Sequence, residues 1–182
     1  MKEYFKTSIV LAIICAGAAI VLSVLNGITK PIIIEFENQK TLDALNAVSN
    51  GLTISEENIN INDNDFVNYY YELSENDNLS GYLLNINAVG YSGKISLVAS
   101  YNMDGEVLQS KVVSCSETPG LGKKSEEDWY MEKYLNKSVI PTKKTQLNSE
   151  EAAAISGASI TFAAIGKSLV AGSDFVKSLG GN

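Results

Sequence analysis

Apolar and polar positions divide the chain into regimes of different period. Between Lys6 and Lys30 no residue is charged, and 9–25 is an almost unbroken aliphatic run. At ~1.5 Å per residue a helix over that interval spans roughly 35 Å, enough for a hydrocarbon core of about 30 Å. A membrane-crossing helix is expected. A cleaved signal peptide is disfavoured, because the run is too long and no small-x-small pair follows it near Asn26 and Gly27. After Pro31, residues 35–50 turn polar with Leu42, Leu45 and Val48 at helical spacing, which predicts a separate amphipathic helix.

Residues 51–79, rich in Asn, Asp and Glu, predict loops and one strand, with Phe66 and the half-buried run Tyr69-Tyr70-Tyr71 among them. From Gly81 the period becomes that of strands, expected at 81–89, 95–101 and 106–114. Gly90-Tyr91-Ser92-Gly93 and Asn102-Met103-Asp104-Gly105 are the turns between them. Residues 123–137 read as a helix carrying Trp129, Met131 and Leu135, with Trp129 in the core. The Ala-rich run after Ser156 is a last helix, stopped by Gly180 and Gly181. The result is an α+β chain: 1–30 the start and transmembrane helix, 31–80 an amphipathic helix and connecting segment, and 81–182 a small antiparallel-sheet domain with flanking helices.

Charge narrows the function. The chain has 182 residues, a formal net charge of −7, and neither Arg nor His. A nucleic-acid partner is excluded, because a phosphate backbone calls for a basic face. Without His there is no Ser-His-Asp triad and no His-type metal site. Cys15 and Cys115 lie in different regimes, so no disulfide between them is expected, and two thiols cannot hold an iron–sulfur cluster. Any redox chemistry must therefore come from a non-metal cofactor or from neighbouring subunits. Lys2 and Lys6 precede the apolar run while Lys30 alone follows it closely, which predicts a cytoplasmic N-terminus and an exported domain. The small patch Ala16-Gly17-Ala18-Ala19 admits close approach of another membrane helix, as in a multi-subunit complex.

Two short stretches carry candidate chemistry. In Ser156-Gly157-Ala158-Ser159-Ile160-Thr161, three hydroxyls lead into the last helix. By residue type alone Ser156 reads as its N-cap. The unpaired N–H groups of such a helix end, and its positive dipole, also suit a phosphate. In Glu117-Thr118-Pro119-Gly120-Leu121-Gly122, Pro-Gly marks a turn, and the glycines let backbone amides approach a ligand.

The first stretch resembles the flavinylation motif of the FMN-binding domain in the G subunit of Rnf electron-transport complexes. The second resembles the Glu-Thr-Pro-Gly-Leu-Gly loop of the same domain, and the two occur here in the family's order. A similar motif occurs in the C subunit of the sodium-pumping NADH:quinone reductase, the alternative within this class. Ala153 stands where the family usually has an acidic residue, with Glu150 and Glu151 a little upstream. The resemblance implies an electron-relay subunit with FMN joined through its phosphate to Ser159, Thr161 being a second candidate. Ser156, Gly157, Ala158 and Thr161 would shape the phosphate pocket. Glu117, Thr118, Gly120, Leu121 and Gly122 would border the phosphate or ring, with Trp129 a possible wall. It also implies other Rnf subunits as partners, a maturing flavin transferase that uses FAD and Mg²⁺, and a complex coupling ferredoxin and NAD to Na⁺ or H⁺ export. A different class, a membrane-anchored module holding a small anion non-covalently at the same helix end, fits the same residues.

Overall fold

The computed structural model describes residues 2–61 and 64–180, so Gly181, expected to help stop the last helix, lies outside the described residues. They fall into two compact units, 1–39 and 40–182.

The first unit is helical. Helix α1 runs Lys2–Val48 with Pro31 inside it, where the sequence predicts a break between two helices. Proline removes one i→i−4 hydrogen bond, here the one to the Gly27 carbonyl, but the turns on either side keep theirs. Over its apolar part α1 has a mean hydropathy of 2.8 and exposed side chains, Ile13 and Leu22 among them. By length and composition it can cross a membrane.

The second unit is built on an antiparallel sheet of strands β1 (Thr53–Ile54), β2 (Ile59–Asn60), β3 (Val67–Glu75), β4 (Asn78–Val89), β5 (Lys94–Asn102) and β6 (Val107–Cys115). The order is β1-β3-β4-β5-β6, with β2 also pairing β3. The three expected strands are β4 to β6, to within a few residues. The expected hairpin holds too: Gly105 takes φ +77° and its N–H bonds the Asn102 carbonyl at 3.0 Å. The tyrosine-rich strand proves to be a full member of the sheet, with Tyr69, Tyr70 and Tyr71 opposite Asn85, Leu84 and Leu83.

Alternation along β4 splits the core. Leu84, Ile86 and Ala88 face a cluster with Phe162, Ile165, Leu169 and Val176 of the last helix, Ser159–Gly180. Leu83 faces the other way, packing with Leu73, Val98 and Val113 against Ala44, Leu45 and Val48.

The expected helix over 123–137 is broken. A 3₁₀ turn (Gly122–Glu126), one turn of α2 (Asp128–Met131) and another 3₁₀ turn (Glu132–Tyr134) replace it. Extended Glu127, at ψ 138°, interrupts the ladder. The pieces still bury Tyr130, Met131 and Tyr134, and the Tyr134 hydroxyl donates to the Phe162 carbonyl of the last helix at 2.9 Å. Trp129 is partly buried against the core, its indole N–H on Glu127 Oε2 at 2.5 Å and Lys133 Nζ 4.4 Å from the ring centroid. Cys15 and Cys115 are both free.

Candidate functional site

A short helix and a turn lead into the last helix. Asn148 caps α3 (Ser149–Ala154) with a capping box: its side chain accepts from the Glu151 N–H at 2.9 Å, and Glu151 Oε2 from the Asn148 N–H at 3.2 Å. The chain then turns, the Ser156 N–H bonding the Ala153 carbonyl at 3.0 Å and Gly157 taking φ +84°. Helix α4 (Ser159–Gly180) starts only at Ser159. Ser156 is therefore not its cap. A left-handed residue between Ser156 and Ser159 prevents one helix from holding all three hydroxyls.

The first intrahelical bond of α4 runs from the Phe162 N–H to the Ala158 carbonyl at 2.9 Å. Helix geometry leaves the N–H groups of Ser159, Ile160 and Thr161 without an intrahelical acceptor at the positive end of a 22-residue helix.

These residues form one wall of a cleft of about 440 Å³. Gly157, Ala158, Ser159, Ile160 and Thr161 line it from the helix side, and Glu117, Thr118, Leu121 and Gly122 from the loop after β6. Eight of the ten residues singled out by sequence thus share one cavity. Ser156 and Gly120 are outside its lining. The Ser156 hydroxyl accepts from Lys144 Nζ at 3.4 Å, and Gly120, with φ +76°, shapes the loop's turn. Trp129 does not line the cleft.

Sequence reasoning missed two lining residues, Tyr91 and Ile160. The Gly90–Gly93 turn, closed by the Gly90 N–H on the Gly93 carbonyl at 2.8 Å, holds Tyr91 74% exposed at the mouth. The Gly-Tyr-x-Gly pattern was the available signal. A wider groove of about 840 Å³ shares Ser159 and Ile160 and continues along α4 past Ala163, Ala164 and Lys167, opposite Phe66 and Val89.

The cleft is held from beneath by a carboxylate. Glu117, 5% exposed, accepts from the Ser92 N–H at 2.9 Å through Oε1 and from the Thr161 hydroxyl at 2.7 Å through Oε2. One side chain thereby joins the tyrosine turn, the glycine loop and the first turn of α4. The close approach requires glycine at 122, where a Cβ would sit 2.6 Å from Glu117 Oε2 and 2.7 Å from Thr161 Oγ1. The buried Tyr130 hydroxyl has no hydrogen-bond partner among the described residues. Burial first, then the nearby Cys115 and Glu117, push it above the usual phenol range.

The cleft falls within a family match. Residues 90–172 match the model of the FMN-binding domain. The chain is also 26% identical over 165 residues to the G subunit of the "Proton-translocating ferredoxin:NAD(+) oxidoreductase complex" of Clostridium ljungdahlii, covering 86% of this chain and 83% of that one. It is 28% identical over 180 residues to the G subunit of the "Ion-translocating oxidoreductase complex" of Methanosarcina acetivorans, covering 96% and 95%. A like-named protein of Vibrio atlanticus is 33% identical over 86 residues, 44% of this chain and 41% of that one. Over most of its length the chain is therefore similar to G subunits of ion-translocating oxidoreductase complexes, and its cleft lies within the residues that match the FMN-binding domain.

Proposed function

We propose that this chain is the electron-relay subunit of such a complex and carries FMN covalently, its phosphate esterified to Ser159. The observation that carries the reading is the position of that hydroxyl. Ser159 is exposed, lines the cleft, and begins the helix whose first three amides are open.

The residues fit the group. Three N–H groups and a helix dipole suit a phosphate. The volume is within the ~300–1,000 Å³ usual for a cofactor cleft. Leu121 and Ile160 give apolar walls, Tyr91 an aromatic face, and Gly122 brings the loop close without a side chain in the way. Thr161 is a poorer attachment site, at 1% exposure and with its hydroxyl donating to Glu117 Oε2. Bound FMN supplies one- and two-electron transfer; the protein supplies position and environment. An ester through the phosphate leaves the ring free and keeps the carrier from being lost.

By analogy with the relatives' names, the complex passes electrons between ferredoxin and NAD and exports Na⁺ or H⁺. The G-subunit relatives that match most of the chain support this over the C subunit of a quinone reductase. A separate flavin transferase, using FAD and Mg²⁺, makes the ester. Helix α1 anchors the subunit with its N-terminus cytoplasmic, and the acidic domain is on the far side.

Intact-mass measurement of the full chain coexpressed with a flavin transferase tests the attachment. One added FMN is expected, lost in Ser159→Ala. An unmodified mass with active transferase present, or a pigment that washes away in denaturant, would remove the reading. For orientation, Val139→Cys offers a better reporter than half-buried Cys115, being 72% exposed. An impermeant maleimide should label it in intact cells.

A further inference from the structure

We infer that Glu117 decides which hydroxyl takes the flavin, by holding Thr161 in reserve and leaving Ser159 alone to react. This rests on the covalent reading above.

Two hydroxyls line the cleft within the first turn of α4, those of Ser159 and Thr161. By chemistry alone threonine is as good an acceptor, and Thr161 even donates to a carboxylate, the arrangement that activates a nucleophile. Burial decides otherwise. A macromolecular transferase has to bring phosphorus within about 3–3.5 Å of the attacking oxygen. Thr161 is 1% exposed, pinned at 2.7 Å to a carboxylate that is itself 5% exposed and occupied on both oxygens. Gly122 closes over that pair from the loop. Ser159 is exposed, and no such carboxylate holds it among the described residues. Glu117 therefore acts as a specificity-determining and positioning residue.

The selected step balances. The Ser159 oxygen attacks the FMN-side phosphorus of FAD, the pyrophosphate P–O–P bond breaks, AMP leaves, and the hydroxyl proton passes to the transferase or solvent. No electrons are exchanged.

The test is peptide mapping of the full chain coexpressed with a flavin transferase. The wild type should carry one FMN at Ser159, and Ser159→Ala none. In Ser159→Ala/Glu117→Ala and Ser159→Ala/Glu117→Val, both of which remove the acceptor and open space beside Thr161, FMN should appear on Thr161. Label on Thr161 in Ser159→Ala alone, at the wild-type level, would overturn the inference. So would unlabelled double variants when the single Glu117 variants still load Ser159.

A second measurement needs neither transferase nor flavin. With Cys15 and Cys115 changed to Ser in the detergent-solubilised full chain, Thr161→Cys should react with maleimide at least about tenfold more slowly than Ser159→Cys. Adding Glu117→Val, which shortens the side chain that covers position 161, should close much of that gap. An unchanged gap overturns the inference even if Glu117→Ala fails to fold. A wild type without FMN would instead sink the covalent reading and leave the thiol comparison standing.

Discussion

The hydroxyl of Tyr101, wholly buried on β5, donates to the Leu169 carbonyl of α4 at 3.0 Å. It fixes how far α4 sits along the sheet, and therefore where Ser159 meets the glycine loop. Glycines on α4 make the close packing possible. A Cβ at 172 would lie 2.9 Å from Tyr101 Cζ and 2.9 Å from Ile86 Cδ1, while one at 166 would meet the Thr142 Cα at 3.1 Å and the Pro141 carbonyl carbon at 3.2 Å.

Overpacking at either position should destabilise the domain. Gly172→Ala and Gly166→Ala are each expected to cost about 1–3 kcal/mol. The larger loss should be at 166, where backbone rather than a side chain must move. Thermal unfolding in detergent checks both, at roughly 2–4 °C per kcal/mol for a chain of this size. Unchanged midpoints would mean that α4 is not packed as described.

Two left-handed glycines should behave differently. Gly120→Ala, at φ +76° with open space around its Cβ, should cost only the backbone penalty of about 1 kcal/mol. Gly157→Ala, at φ +84°, carries that penalty and also drives its Cβ to 2.8 Å from Leu121 Cδ2 at the cleft wall. Flavin content per chain after coexpression with the transferase should therefore fall markedly for Gly157→Ala and little for Gly120→Ala.

Thr161→Val removes the donor to Glu117 Oε2 and leaves a buried carboxylate oxygen with one partner fewer. A loss of about 1–3 kcal/mol is expected. Thr161→Ser, which keeps the hydroxyl, should recover most of it. Denaturant unfolding distinguishes the two, and both variants should still take FMN at Ser159.

Alkaline pH should unfold the domain through its buried phenols. Burial raises Tyr101, Tyr130 and Tyr134 far above the ordinary phenol value, because the charged form has no hydration inside the core. A folded pKa above the unfolded one stabilises the fold fully below about pH 10, and the contribution is lost as pH rises further. In a tyrosinate absorbance titration these three of the nine tyrosines should ionise only together with loss of the circular dichroism signal. Reversible ionisation of all nine with the fold intact would contradict the burial.

The sequence by itself determined the elements with strong periods and the residue chemistry of the site. A 23-residue uncharged stretch reads as a helix long enough to cross a hydrocarbon core, and the strand period from Gly81 reads as sheet. Glu117 and Ser159 were singled out by the resemblance of their two motifs to the FMN-binding domain, and the structure brings both into one cleft.

Tertiary structure decided the rest. The start of α4 at Ser159 depends on a positive φ at Gly157, set by the α3 turn rather than by the hydroxyls around it. The broken region around Trp129 follows from seating Tyr130 and Tyr134 in the core, where side-chain burial outweighs helical propensity. That Thr161 rather than Ser159 is tied to Glu117 rests on a contact spanning 44 residues of chain, and no local pattern records such a contact.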